Sequence, residues 1–153
     1  MSSKFLNMIL VGSLIACSSI SFANSNSLPQ SSLANNDSKS ILTFHIPNPD
    51  NGSYYMGLEI NGKDIPGTNK IVKGTTENTI EETQADVQQA ISSGYEKIGN
   101  NSFVFYKCNT SKCNKNSSVA SFNQNAEIQQ DGNSYIISPG SVNITWSSTT
   151  NNN

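Results

Sequence analysis

Apolar residues along this chain fall mostly at every second position, in short runs broken by glycine, proline and asparagine. In Ile41-Leu42-Thr43-Phe44-His45-Ile46, the side chains of Leu42, Phe44 and Ile46 share one face of a strand. Pro47-Asn48-Pro49-Asp50-Asn51-Gly52 ends it, since proline supplies no donor and Asn-Gly suits a turn. Tyr54, Met56, Leu58 and Ile60 share a face in the next run, with Tyr55, Gly57 and Glu59 opposite. Asn61-Gly62 follows at once and predicts a tight hairpin returning through Lys63-Asp64-Ile65, stopped by Pro66-Gly67. A short extended piece is predicted over Lys70-Ile71-Val72-Lys73.

The period changes once. Thr79-Ile80-Glu81-Glu82 matches a capping box, and Ile80, Val87 and Ile91 then form a narrow apolar stripe at helical spacing. The pattern predicts one helix from Thr79 with Gly94 at its C′ position, packed on a sheet. From Ser102 the two-residue period returns. Phe103-Val104-Phe105-Tyr106-Lys107 and Val119-Ala120-Ser121-Phe122 flank a polar loop. Ala126–Gln130 and Ser134–Ile137 flank Asp131-Gly132-Asn133, and Pro139-Gly140 precedes a last run in which Val142, Ile144 and Trp146 share a face. Short turns predict antiparallel neighbours. The expected fold is mostly β (α+β), a small antiparallel meander or sandwich with one amphipathic helix packed on the sheet.

The first 23 residues stand outside this pattern. Lys4, an apolar run from Phe5 to Ala16 and the small-residue exit Ser21-Phe22-Ala23 read as an export signal cut before Asn24. The run is shorter than the ~20 apolar residues a membrane span needs. A second exit overlaps it: Leu14-Ile15-Ala16-Cys17 resembles a bacterial lipobox, which would leave a 1–16 leader and a lipid on Cys17. Ile20 and Phe22 suit the end of a leader better than a solvated tether, which favours the first cut. Residues 24–39 lack periodicity and read as a disordered tether; residues 40–147 as a single β-rich domain; 148–153 as a disordered tail.

The mature chain then holds two cysteines. Cys108 and Cys113, five positions apart in an oxidising compartment, predict one local disulfide that stabilises by roughly 2–3 kcal/mol in the chain-entropy account. Composition narrows the partners. There is no Arg, and nine Lys stand against eleven acidic residues for a net charge of −2. Nucleic-acid binding and a polybasic membrane patch are both disfavoured, leaving the membrane reachable only through a Cys17 lipid. Sequons at Asn36, Asn51, Asn100, Asn109, Asn116 and Asn143 carry little weight in a chain so rich in Asn and Ser.

Candidate chemistry is sparse. No nucleophile motif and no cofactor or phosphate-binding motif occurs, and His45 is the sole His, too few for a zinc site or a metal hydrolase motif. His45 reads as a half-exposed strand residue. Asp50-Asn51-Gly52 reads as a turn, Glu59 and Asp64 as rim residues, and Glu81, Glu82 and Asp86 as capping and solvated charge. A small secreted hydrolase using two carboxylates stays formally open. The sequence therefore points to an exported bacterial cell-envelope or secreted protein, non-enzymatic, that binds a protein or glycan partner. Tyr55 and Tyr95 are the candidate binding surface, with Tyr54 and Tyr106 expected in the core. An outer-membrane lipoprotein with a structural role is the alternative.

Overall fold

A computed structural model of the chain describes residues 3–4, 39–50, 52–74 and 78–149. Cys17, both leader exits, the 24–39 segment up to its last residue, the Asn36 and Asn51 sequons and the last four residues lie outside the described part. Eleven strands and one helix are described: β1 (Ser3–Lys4), β2 (Ser40–Ile46), β3 (Ser53–Ile60), β4 (Lys63–Asp64), β5 (Lys70–Lys73), β6 (Asn78–Thr83), α1 (Gln84–Ser92), β7 (Gly99–Cys108), β8 (Ser118–Asp131), β9 (Ser134–Ser138), β10 (Ser141–Asn143) and β11 (Ser147–Ser148).

They make two sheets. The larger runs β11-β8-β7-β3-β4, with β5 also on β3 and β9 also on β8; the smaller runs β1-β6-β2-β10. Every pairing in the larger sheet is antiparallel, and β7, β8 and β9 follow one another as the expected meander. Asn61 (φ 51°) and Gly62 (φ 79°) both lie in the left-handed region, the conformation that a two-residue primed turn requires between β3 and β4.

Alternation places the core between the sheets. Leu42, Phe44 and Ile46 of β2 and Ile80 of β6 face Tyr54, Met56, Leu58 and Ile60 of β3, Phe103 and Phe105 of β7, and Ala126 and Ile128 of β8, all buried. Phe44 lies with its ring centre 4.7 Å from that of Phe105 and 5.3 Å from that of Phe103. At one end Tyr54 donates to Pro47 O at 2.6 Å and accepts from Trp146 Nε1 at 3.3 Å, their rings edge to face. Burial pushes the Tyr54 phenol up, and the Trp146 bond partly offsets it.

Four features differ from the sequence expectation. The stretch Asn78–Thr83 is strand, not helix: Ile80 lies opposite Phe44, and Glu82 opposite Leu42. Thr79 therefore caps nothing. The capping box is Thr83–Asp86, in which Asp86 N donates to Thr83 Oγ1 at 3.3 Å and Thr83 N donates to Asp86 Oδ2 at 2.9 Å. Pairing with β2 outweighs a local signal that fits equally well four residues later. The helix end does match: Gly94 (φ 73°) closes a Schellman turn, with Tyr95 N bonded to Ala90 O and Gly94 N to Ile91 O.

The second difference is β8, which runs unbroken through the polar Asn123-Gln124-Asn125 because β7 supplies the whole ladder opposite. Third, β10 leaves the meander. After Pro139-Gly140 it crosses to the smaller sheet and pairs parallel with β2, Val142 opposite Phe44. Fourth, pairing continues past 147, since Ser147–Ser148 lie on β8 and Thr149 bonds Val119 O and Ser118 O.

Thr83→Ala should cost about 1 kcal/mol in urea unfolding through loss of the cap. A Thr83→Ala midpoint equal to the parent's would show that the helix does not start there.

Candidate functional site

The outer face of the larger sheet carries a second, smaller cluster. Tyr106, Cys108 and Cys113 are buried there, with Tyr55 and Val104 packed against them. The cause is local. Cys108 ends β7, the chain loops outward over residues 109–117, and the Cys108–Cys113 disulfide (Cα–Cα 5.4 Å) turns the loop back over the sheet. The loop settles on Gly57. A Cβ at this position would collide with Cys113 O and stand 3.3 Å from Asn69 Oδ1, so only glycine admits the loop. Cys113 Sγ sits 3.3 Å from Tyr106 O and 3.6 Å from Tyr55 O. A disulfide sulfur carries no hydrogen, so these are packing contacts.

Side chain to backbone bonds hold the loop's shape. Asn114 Oδ1 accepts from Asn116 N at 3.0 Å, and Ser117 Oγ donates to Lys112 O at 2.6 Å. Ser118 Oγ donates to Lys115 O at 3.0 Å. The segment facing it is equally tied: buried Thr68 donates to Ile65 O at 2.7 Å and accepts from Leu58 N, while Ile65 N bonds Leu58 O.

Between these two tied segments lies a cleft of about 250 Å³. Leu58, Ile65 and Cys113 contribute to its lining, together with the polar residues Asp64, Asn69, Lys112 and Asn114. The donor and acceptor set is mixed: one ammonium, one carboxylate and two carboxamides. Such a set can bind hydroxyl-rich or zwitterionic groups of sugar size.

Tyr106, clustered with Cys108 and Cys113, donates to Glu59 Oε2 at 2.9 Å, and Glu59 lies opposite Asp64 across the hairpin. Burial, with that carboxylate as its acceptor, holds the phenol well above its ordinary range. Tyr106 is thus a structural donor that stays protonated in water.

Of the two tyrosines picked from sequence, Tyr55 belongs to this face. It lies between Ile71 of β5 and Cys108 of β7, half-buried, with Ile71 exposed beside it. Tyr95 does not join it. It packs against the main core after α1, and its carbonyl accepts from Asn61 Nδ2 at 2.8 Å. Tyr54 and Tyr106 are buried with bonded hydroxyls. His45 is half-buried on β2, with Nε2 3.1 Å from Ser141 Oγ.

Asp64, Asn69, Lys112 and Asn114 were not legible as one site, because hydropathy says nothing about which polar loops meet. Gly57 was the available signal: a glycine inside an otherwise well-formed strand marks a close approach of another backbone.

The second polar concentration is buried. Glu82, Asp86 and Glu96 come together where β6 enters α1 and where the chain returns toward β7. Glu82 was expected in solvated helix charge; as strand, its register turns it inward to 1 % exposure. Both glutamates have carboxyl oxygens sealed from solvent, so a substrate does not reach them as a catalytic pair. Among the described residues no group of three or more His, Cys, Asp or Glu is arranged to hold a metal ion. No helix there is long and apolar enough to cross a membrane.

No protein-family model, curated protein or solved structure matches the chain. The fold and site together define a class only: a two-sheet β domain with a disulfide-clasped loop folded over one outer face.

Gly57→Ala should destabilise the fold by about 1–3 kcal/mol and lift the loop. The native-state rate of Cys108–Cys113 reduction by a thiol reagent should rise with it. An unchanged rate would mean that the loop's position does not depend on Gly57.

Proposed function

We propose that this chain is an exported bacterial cell-envelope or secreted protein that acts by binding, without catalysis, and that the disulfide-clasped face is its recognition surface. The observation that carries the reading is the cleft between the 109–117 loop and the 65–69 segment, each tied internally by side chain to backbone hydrogen bonds. Tied backbone segments lose little entropy on binding, which suits recognition by a small domain. Within the protein-or-glycan class, the cleft favours a sugar-sized polar group. Tyr55 and Ile71 supply an apolar shoulder on the same face, on which a ring or side chain of the partner can rest.

Export is supported by the Met1–Ala23 pattern and by the disulfide, which is compatible with an oxidising compartment. The lipobox-like Leu14-Ile15-Ala16-Cys17 favours a second reading, an outer-membrane lipoprotein held by Cys17.

Titration of the labelled domain with a panel of soluble glycans should shift the amides of Asp64, Asn69, Lys112 and Asn114 together. Asp64→Ala combined with Lys112→Ala should weaken that binding about tenfold or more, the equivalent of one or two charge-assisted hydrogen bonds. Undiminished binding in the double variant would move recognition off the cleft. The intact mass from the native host should begin at Asn24 and gain two hydrogens on reduction. A mass beginning at Cys17 with acyl chains would establish the lipoprotein instead.

A further inference from the structure

Glu82 is 1 % exposed and Glu96 4 % exposed, yet Glu82 Oε2 and both carboxyl oxygens of Glu96 find no hydrogen-bond donor among the described residues. A buried carboxylate oxygen without a donor is strongly disfavoured, so the stable arrangement is one in which the carboxyls keep protons. The neighbours offer no relief. From α1 the facing charge is Asp86, whose Oδ2 already accepts from Thr83 N and Thr83 Oγ1 at 2.9 and 2.8 Å. From β2 the residue opposite Glu82 is Leu42, with Ser40 opposite Thr83. From β9, Tyr135 meets Gln84 at the start of α1, its backbone N–H and carbonyl both bound by that amide at 2.7 Å. On the return turn Lys97 follows Glu96 with its side chain in solvent. Among the residues whose side chains are described, no cation contributes to the field at either glutamate.

We propose that Glu82 and Glu96 act together as a clasp of buried neutral acids that keeps the 93–98 turn packed on β6, closed in acid and loosened as the pH rises past neutrality. The clasp has something to hold. The turn also anchors the β3–β4 hairpin, through Lys63 Nζ donating to Gly94 O at 2.7 Å and Asn61 Nδ2 donating to Tyr95 O at 2.8 Å. The residue after Lys63 is Asp64 of the cleft.

The titration follows from the same burial. Desolvation raises Glu96 to about 7, with the neighbouring Glu82 carboxyl opposing the shift and Asp86 adding to it. Desolvation, then the neighbouring Glu96 and Asp86 carboxylates, hold Glu82 well above the carboxylate range. An unfolded Glu loses its proton at about pH 4.3. Between that value and about 7 the folded chain binds more protons than the unfolded one, so stability is full in acid and falls as pH rises through this window.

Two measurements test the clasp. In the wild-type protein, carboxyl-carbon NMR should show Glu96 titrating near neutrality and Glu82 well above the usual carboxylate range; both titrating below pH 5 would overturn the proposal. The thermal midpoint should fall by roughly 5 °C or more from pH 5 to pH 8. Glu96→Gln gives Glu82 an amide partner that needs no shared proton, so it should remove most of that fall and raise the midpoint at pH 8. A Glu96→Gln profile parallel to wild type would equally overturn it.

Discussion

The contact on which the rest of the structure depends is Phe44 against Phe103 and Phe105. The smaller sheet has too few long strands to stand alone in water, and the larger one has an apolar face to cover. Phe44 joins them at the centre, its ring centre within 5.3 Å of those of Phe103 and Phe105 of β7. Everything nearby takes its register from that stack. Ile80 of β6 and Val142 of β10 both pair with Phe44, from opposite sides of β2. Leu58 and Phe122 pair with Phe105, from opposite sides of β7. A one-residue slip of β2 would turn Phe44 out to solvent and His45 into the core.

That dependence explains which parts of the fold can be read from the chain. Strands β2, β3 and β7 announce themselves because each buries one face, and hairpins at Asn61-Gly62 and Gly132-Asn133 because few residues tolerate such turns. The region 79–83 misleads because Thr79-Ile80-Glu81-Glu82 satisfies a local cap rule while its apolar positions also alternate. The ladder to β2 decides the matter, and no window of a few residues contains β2. The same holds for β10 and β11. They are two or three residues long and exist by pairing with β2 and β8, so their partners define them more than their own composition does.

The candidate site is legible only in its covalent part. The Cys108–Cys113 spacing announces a bond, and Gly57 hints at a close approach, but the cleft arises where the disulfide loop meets a segment more than forty residues earlier in sequence. In the chain Tyr55 has a strand face shared with Glu59 to mark it as exposed, whereas nothing local fixes the direction of Tyr95. Strand parity puts Tyr55 on the outer face, whereas the Schellman turn at Gly94 directs Tyr95 back to the core.

Buried polar groups are handled in two opposite ways. Asn101, at 1 % exposure, is fully occupied: its Nδ2 donates to Lys97 O and Gly99 O, and its Oδ1 accepts from Lys97 N and Asn61 Nδ2. Such a network fixes geometry at every pH, because no member of it titrates. A few residues away, Glu82 and Glu96 are left to each other. Glutamine and an apolar residue would fill that space with less cost across the neutral range. Packing alone therefore does not account for two acids here, whereas dependence on a proton does. The Asn101 network and the glutamate pair hold the same turn, one unconditionally and one only while protonated. A loosened clasp would consequently free the 93–98 turn locally, with the Phe44 stack and the disulfide face keeping the sandwich closed.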